Sequence, residues 1–227
     1  MKRIFDLFLS FIGIFFLLPV FIITTLFVFF NDFKTPFYTP WRMGKNMKPF
    51  KIIKFRSMVL GADKSGVNST SSNDNRITNV GKIIRKFKLD ELSQLFNVFI
   101  GNMSFVGPRP QIIDHVVNEY SEKEKQLLLV KPGITDFSSI VFSDEGDILK
   151  DSIDPNKDYN NLIRPWKSKL GLFYIKNQSI LIDFYLILLT ILAIVNKRLS
   201  LRFINKLLIK YKADPELLDI CKRDKKL

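Results

Sequence analysis

The sequence predicts an α+β fold that is mainly α, with a small β element and an N-terminal membrane helix. Residues 7–30 contain no charged side chain. Apolar residues recur at helical spacing through much of the remaining chain. Residues 51–56 instead alternate in the manner of a strand. These three patterns together favour helices packed around a little β-structure and held at a membrane.

Basic residues are concentrated next to the apolar segments. The chain has 227 residues, is 47% hydrophobic and carries a formal net charge of +13. Residues 1–60 contribute +7 and residues 197–227 contribute +6, so residues 61–196 are neutral. This distribution favours an anionic membrane surface, which attracts each nearby basic residue by about 1 kcal/mol. A nucleic acid would also attract a basic protein, but the coincidence of charge with apolar sequence makes us expect no nucleic-acid partner.

The uncharged segment from Leu7 to Phe30 is long enough to span a bilayer. Its length and composition alone favour an ordinary spanning helix. However, Pro19 lies near its middle and removes a backbone hydrogen bond. Basic residues flank both ends, beginning with Lys2 and Lys34, and the positive-inside rule keeps such flanks in the cytoplasm. These features predict a re-entrant helix hairpin over residues 1–32, which enters and leaves one leaflet.

Candidate chemistry is concentrated between residues 85 and 110. Asp90 and Glu91 follow Arg85 and its basic neighbours, and a Gly-Pro-Arg-Pro turn presents Arg109. If a helix begins near Lys88, both acids lie in its first turn, where the helix dipole favours their ionised forms. Asp90 would then be a nucleophile and Glu91 a ligand for Mg²⁺, which prefers carboxylate and phosphate oxygens. The alternative is a surface helix with acids in its first turn.

Two further basic residues precede this stretch. Alternation over residues 51–56 predicts a strand with Lys54 and Arg56 on one face, although a solvated strand face has the same pattern. Residues 61–75 are rich in Ser and Asn and predict a mobile loop beside the site. This loop would become ordered when substrate binds.

The second half of the chain predicts three helices. Residues 111–130 read as one amphipathic helix that contains His115, the only histidine. A metal site built from several histidines is therefore excluded. Residues 180–195 are apolar but short for spanning a bilayer, which predicts an interfacial or buried helix. Residues 200–212 form a basic amphipathic pattern that suits a membrane surface. Its alternative is a helix packed on the domain or on a partner.

An ordered series of motifs resembles the bacterial sugar transferase family, the monotopic polyprenol-phosphate phosphoglycosyl transferases. The matching segments are residues 54–58, 76–78, 80–81, 89–92, 94–95, 97–98, 101–104, 106–110 and 131–135. The resemblance covers approximately residues 1–195 and provides most of the fold expectation. It implies a compact, cytoplasm-facing domain that is seated on the bacterial inner membrane. We expect a membrane hairpin (1–32), a catalytic domain (33–196) and a basic amphipathic extension (197–227).

The resemblance also implies a two-step transfer of a sugar phosphate. Asp90 would attack the β-phosphate of a UDP-sugar and release UMP, and a polyprenyl phosphate would then take the sugar phosphate from the aspartate. Glu91, with Asp90, would hold Mg²⁺. The phosphate or nucleotide contacts would be Lys54, Arg56, Arg85 and Arg109. The product would begin a glycan such as O-antigen, capsule or a protein-linked chain.

This sequence departs from the family pattern after Thr135, where a Gly-Arg pair thought to help hold the nucleotide has no counterpart. One alternative is therefore a non-catalytic, membrane-anchored scaffold, although the intact Asp90-Glu91 pair argues against it. Another is a small transport or pore subunit, which is disfavoured because one segment alone is long enough to cross a bilayer. A homodimer is compatible with the sequence.

Overall fold

Most of the chain is helical, in agreement with the mainly α fold class. The computed structural model describes residues 1–223. The α-helices are α1 (Lys2–Asp32), α2 (Asn79–Lys86), α3 (Gln94–Ile100), α4 (Ile113–Glu119), α5 (Glu122–Lys125), α6 (Phe137–Val141), α7 (Glu145–Ile148), α8 (Pro155–Asp158), α9 (Arg164–Asn177), α10 (Ile180–Val195), α11 (Lys197–Lys210) and α12 (Pro215–Lys222). Shorter 3₁₀ turns span Lys45–Met47, Ala62–Ser65, Leu89–Glu91 and Gln126–Leu129, and a π-helical turn spans Tyr159–Ile163.

The small β element consists of three two-stranded ladders. The strands are β1 (Phe37–Tyr38), β2 (Trp41–Met43), β3 (Pro49–Lys51), β4 (Lys54–Phe55), β5 (Ser104–Val106) and β6 (Gly133–Thr135). β1 pairs with β4 and β2 with β3, both antiparallel, while β5 and β6 are parallel. The single strand expected over residues 51–56 is therefore divided between β3 and β4, which have different partners.

Helix α1 runs along the domain and contacts it at both ends. At its start, Lys2 Nζ donates to the Val106 carbonyl oxygen over 3.0 Å and forms an ion pair with buried Asp183. Near its middle, the Phe21 ring centroid lies 5.2 Å from that of Phe96. Its last residue, Asp32, contacts the domain through Arg56. The helix is continuous from Lys2 to Asp32 with Pro19 inside it, so any bend at the proline lies within one helix.

The contact at the end of α1 uses the whole Arg56 guanidinium. Nη1 and Nη2 donate to the two Asp32 carboxylate oxygens over 2.7 and 2.5 Å, and Nε donates to the Thr35 carbonyl oxygen over 2.7 Å. Arg56 is only 5% exposed. We therefore assign Arg56 to fixing the end of α1, and not to the phosphate contact expected from the sequence.

The outer surface of α1 is apolar and exposed. Within residues 1–223, α1 is the one helix long and apolar enough to cross a membrane. Helix α10 adds exposed Leu181, Phe184, Leu188 and Ile191. Large exposed apolar patches of this kind mark membrane or protein contact sites. The surface is consistent with membrane anchoring.

The C-terminal helices belong to the main core, which corrects the expectation of a membrane-surface helix over residues 200–212. The apolar face of α11 buries Leu201, Ile204 and Leu208 against α6, α10 and α12. Cys221 of α12 is buried in the same cluster and is a free thiol. The alternative of a helix packed on the domain is therefore correct, because this apolar stripe is already covered by protein.

The single helix expected over residues 111–130 is also wrong. α4 ends at Glu119, and Tyr120 and Ser121 adopt extended backbone angles before α5 begins. The Ser121 side chain accepts from the Glu124 backbone N–H, while the Glu124 carboxylate accepts from the Ser121 backbone N–H. This capping box starts a new helix inside an otherwise continuous amphipathic pattern.

The assignment of Arg56 predicts a loss of stability in the Arg56→Lys variant. Lysine keeps the charge but loses the two-pronged contact with Asp32 and the bond to Thr35. We expect the free energy of unfolding to fall by about 2 kcal/mol, as is typical for lost hydrogen bonds to charged groups. Thermal unfolding of the purified protein in detergent would measure the change.

Arg42→Lys is the matched control, since Arg42 Nη1 donates to the adjacent Trp41 carbonyl oxygen. Its unfolding should change little. If Arg56→Lys kept the wild-type stability but bound a phosphate ligand more weakly, Arg56 would instead be a phosphate contact of the site.

Candidate active site

The two adjacent acids lie in a short turn between α2 and α3. Lys88 has a left-handed backbone (φ 56°), which stops α2 and redirects the chain into a 3₁₀ turn over Leu89–Glu91. α3 begins only at Gln94. Asp90 and Glu91 are therefore in a first helical turn as expected, but in a 3₁₀ turn that precedes the α-helix.

Glu91 is held by two cations from distant parts of the chain. Lys54 Nζ, from β4, donates to Glu91 Oε1 over 3.1 Å. Arg109, from the turn after β5, donates from Nη1 to Oε2 over 3.3 Å and from Nη2 to Oε1. Burial opposes ionisation of Glu91, but the charges of Arg109 and Lys54 outweigh it and hold its pKa well below the usual range. Glu91 is therefore a carboxylate.

The pKa of Asp90 is raised, whereas that of Glu91 is lowered. This corrects the expectation that the ionised form of Asp90 is favoured. Asp90 is 8% exposed, and Oδ1 makes no hydrogen bond within the described residues. Burial, followed by the negative charge of Glu91, raises the pKa of Asp90 despite the opposing charges of Lys54, Arg85 and Lys88. The expected helix dipole is weak here because α3 starts four residues later.

The turn that presents Arg109 is fixed by a close crossing of two backbones. A Cβ atom added to Gly107 would lie 2.4 Å from the Lys131 carbonyl oxygen. One added to Gly133 would lie 2.1 Å from the Gly107 nitrogen. Since no side chain fits at either position, β5 and β6 can approach closely. The crossing aims Arg109 at Glu91.

Of the other two predicted cations, Arg85 lies near the acid pair and Arg56 does not. Arg85 Nη1 lies 3.4 Å from Ser57 Oγ, and its charge acts on Asp90. Lys54, Arg85 and Arg109 therefore surround the acid pair, whereas Arg56 bonds to Asp32. The sequence placed Lys54 and Arg56 on one strand face, but β4 ends at Phe55, before Arg56.

A second charged group adjoins Arg109 and was missed by sequence reasoning. Lys167 of α9 forms an ion pair with Glu145 of α7, and the carboxylate of Glu145 acts on Arg109. Arg109, Tyr159 and Lys167 line one pocket. The sequence gives no signal for this ion pair, because spacing alone cannot reveal a partner 22 residues away. The π-helical turn at Tyr159–Ile163 is a rare feature that often marks a functional site.

The polar loop over residues 61–75 is docked on the domain in this structure. The Arg76 guanidinium bonds to both Asp74 carboxylate oxygens and to the carbonyl oxygens of Ala62 and Val67. Asn156 Oδ1 accepts from the backbone N–H groups of residues 68 and 69 over 3.0 and 2.9 Å. These side-chain bonds hold the Asp74-Asn75-Arg76 turn against the rest of the loop.

The acid pair can accommodate a Mg²⁺ ion together with a phosphate ligand. Among the described residues, no group of three or more His, Cys, Asp or Glu side chains is suited to hold a metal by itself. Mg²⁺ usually takes one or two carboxylates and completes its shell with substrate phosphates and water. The unpartnered Oδ1 of Asp90 is a suitable oxygen, while the Glu91 carboxylate already accepts from Lys54 and Arg109. The donor set fits, with Asp90 as the freer ligand.

An apolar anchor helix beside a turn of paired acids and cations is an arrangement suited to a membrane-associated transferase. A model described as "Bacterial sugar transferase" matches residues 1–197. The chain therefore belongs to the bacterial sugar transferase family.

Individual relatives extend this finding. A putative undecaprenyl-phosphate N-acetylgalactosaminyl 1-phosphate transferase of Bacillus subtilis is 41% identical over 110 residues, which are 48% of this chain and 62% of that protein. An exopolysaccharide production protein, PSS, of Rhizobium leguminosarum bv. phaseoli is 33% identical over 207 residues, or 85% of this chain and 94% of that protein. A UDP-glucose:undecaprenyl-phosphate glucose-1-phosphate transferase of Klebsiella pneumoniae is 37% identical over 157 residues, 66% of this chain and 30% of that protein. The chain thus spans less than two thirds of the Bacillus and Klebsiella relatives.

The lowered pKa of Glu91 predicts a pH-dependent contribution to stability. A depressed folded-state pKa stabilises the protein above the unfolded value of about 4.3, and this stability is lost as pH falls through the folded-state pKa. In Glu91→Gln, Lys54 and Arg109 lose their shared counter-charge, which should cost about 3 kcal/mol at pH 7. Melting temperatures of both proteins at several pH values would measure the difference, which should shrink in acid.

Glu216→Gln is the control, because the Glu216 carboxylate pairs with Lys169 on the exposed surface. This variant should change stability little at any pH. A wild-type advantage over Glu91→Gln that did not change between neutral and acidic pH would contradict the assigned ionisation.

Proposed function

We propose that this protein is a phosphoglycosyl transferase that moves a sugar-1-phosphate from a UDP-sugar to a polyprenyl phosphate. The observation that carries the proposal is the buried, unpartnered Oδ1 of Asp90, next to a Glu91 carboxylate held by Lys54 and Arg109. A carboxylate oxygen without a partner is free to attack or to bind. The names of the Bacillus and Klebsiella relatives support this donor and acceptor chemistry.

The reaction has two steps in which the same phosphorus is attacked twice. In the first, an Asp90 carboxylate oxygen forms a bond to the β-phosphorus, the bond to the bridging oxygen breaks, and UMP leaves with that oxygen. In the second, a phosphate oxygen of the polyprenyl phosphate bonds to the same phosphorus, and the bond to Asp90 breaks. This restores the carboxylate and yields polyprenyl-diphosphate-sugar. Covalent catalysis of this kind divides one difficult step into two easier ones.

The surrounding cations support such a transfer. The site contains three positive charges, on Lys54, Arg85 and Arg109, against the single negative charge of Glu91. Positive charge therefore remains available to incoming phosphates. Arginine in particular matches phosphate oxygens with its planar fork. Asp90 and Glu91 would hold Mg²⁺, which would supply positive charge that neutralises phosphate charge and favours the ionised form of Asp90.

The contacts of α1 support a re-entrant arrangement. A straight helix of 31 residues is about 46 Å long, more than the hydrocarbon thickness of a bilayer. If α1 spanned the membrane, its two ends would lie on opposite sides. Yet Lys2 and Asp32 both contact the same domain. With basic residues such as Lys34 beyond the second end, the positive-inside rule favours a domain that faces the cytoplasm, where UDP-sugars are made.

An apolar groove beside the site suits the hydrocarbon chain of the acceptor. It is lined by Phe21, Ile22, Thr25, Leu26, Phe37 and Phe96 and has a volume of about 270 Å³. The Thr25 hydroxyl already donates to the Phe21 carbonyl oxygen over 2.7 Å, so the lining is effectively apolar. The next residue after Phe37, Tyr38, is paired with Lys54 in the β1–β4 ladder. A lipid chain in this groove would hold its phosphate close to Lys54.

The proposal predicts that Asp90→Asn abolishes sugar-phosphate transfer. Amide nitrogen and oxygen are poor nucleophiles, so release of UMP should fall by at least about a thousandfold, the scale on which removal of a catalytic group acts. The assay would follow UMP from a panel of UDP-sugars with Mg²⁺ and polyprenyl phosphate. UDP-glucose and UDP-N-acetylgalactosamine belong in the panel because the names of relatives contain them.

Asp114→Asn, a change at an exposed position of α4, is the matched control and should keep full activity. Full activity of Asp90→Asn would exclude Asp90 as the nucleophile. If no donor gave UMP with the wild-type protein, the scaffold alternative would replace the proposed function.

The groove predicts a selective effect on the acceptor. Ile22→Trp fills the groove, so the KM for polyprenyl phosphate should rise about tenfold, equal to about 1.4 kcal/mol. The KM for the UDP-sugar should not change. Ile23→Trp is the matched control, since Ile23 is exposed on the same helix and does not line the groove. Equal acceptor KM values for the two variants would exclude the groove as the binding site.

A further inference from the structure

Gln94, the first residue of α3, is a buried amide whose nitrogen has no partner. The residue is 1% exposed, and Nε2 makes no hydrogen bond within the described part of the chain. Leaving a buried donor unpaired destabilises a folded protein. Native structures rarely retain such a group unless something else requires it.

Asn97, in the same helix, is a buried amide with a purely structural role. Asn97 is also 1% exposed, but both ends of its side chain are used. Its Oδ1 accepts from the Ile53 backbone N–H over 2.8 Å, and its Nδ2 donates to the Lys51 carbonyl oxygen over 2.8 Å. The two residues therefore have equal burial and the same functional group, but opposite hydrogen-bonding states.

The position of Gln94 relative to Asp90 indicates what its missing partner is. Asp90 lies in the 3₁₀ turn and Gln94 begins α3, so the two residues are separated by a rise of about 6–8 Å along the helical turns. The two residues closest to α3 between them, Leu92 and Ser93, have right-handed helical backbone angles. An unpartnered donor and the unpartnered Oδ1 of Asp90 thus occur about one turn apart. A ligand that reacts at Asp90 and carries acceptor oxygens would satisfy the donor.

We propose that Gln94 is a further substrate-binding residue, whose side-chain N–H donates to an oxygen of the sugar phosphate transferred at Asp90. This inference rests on the proposed function and adds a binding group to that site. The donor would become paired only when the sugar phosphate is present. Gln94 would therefore reduce the stability of the free protein and increase binding of the transferred group.

The test compares Gln94→Met with Asn97→Met in the full chain in detergent. Methionine nearly conserves the volume of the glutamine side chain and removes its polar groups, whereas at Asn97 it removes the amide and adds volume. In Gln94→Met we expect a melting temperature equal to or above that of the wild type without substrate, and a kcat/KM lower by about a hundredfold, as for loss of one preorganised donor. In Asn97→Met we expect a lower melting temperature, because two backbone groups of residues 51 and 53 lose their partner.

A second measurement follows binding directly. The UDP-sugar should raise the melting temperature of the wild-type protein more than that of Gln94→Met at the same concentration, because stabilisation grows with affinity. A structural role for Gln94 would leave this ligand-induced shift unchanged.

Either of two results would overturn the inference while leaving the proposed function intact. One is a Gln94→Met protein with wild-type kcat/KM, whatever its melting temperature. The other is a Gln94→Met protein in which the UDP-sugar raises the melting temperature as much as in the wild type. If the wild-type protein released UMP from no donor, the proposed function and the role of Gln94 would both fail.

Discussion

The ion pairs around Glu91 are the interaction on which the site depends. They join β4 through Lys54, the 3₁₀ turn through Glu91, and the turn after β5 through Arg109. A buried carboxylate is costly unless it is paired, and removing one partner leaves an uncompensated charge. Here two cations share one carboxylate, so the cluster keeps a net positive charge. That excess is suited to a phosphate ligand, while Glu91 keeps the two cations in place before the ligand arrives.

The long apolar helix α1 is joined to the same ion-paired cluster. β1 begins only five residues after α1 ends, and its Tyr38 pairs with Lys54. Asp32 and Arg56 fix the intervening segment. The distance between α1 and the acid pair is therefore set by short, bonded connections. An acceptor that is anchored in the membrane by its hydrocarbon chain needs a site at a fixed, shallow depth, and this coupling of α1 to β4 would provide it.

The sequence predicts the composition of the site better than its contacts. The order of motifs brought Asp90, Glu91 and Arg109 into one site, and the uncharged segment predicted the long apolar helix α1. The separation of Lys54 from Arg56 depended on where β4 ends, which alternation does not reveal. The break after α4 had a readable signal in Ser121 and Glu124. No sequence signal predicted the burial of α11, because a basic amphipathic helix has the same pattern whether a membrane or a protein core covers its apolar face.

Helix α3 shows how one short segment serves folding and chemistry together. Ser93 and Asn97 bond to residues 51–53 and fix the chain that leads to Lys54. Leu95 and Val98 pack into two apolar clusters. Gln94 at the start of α3 and Asp90 in the preceding 3₁₀ turn each keep one buried atom without a hydrogen-bond partner. Each such group costs about 1–3 kcal/mol, and the packing and bonding of the other faces must offset that cost. Because the 3₁₀ turn and α3 form one short continuous segment, the site cannot move relative to α1 and β4 without loss of the apolar core that supports it.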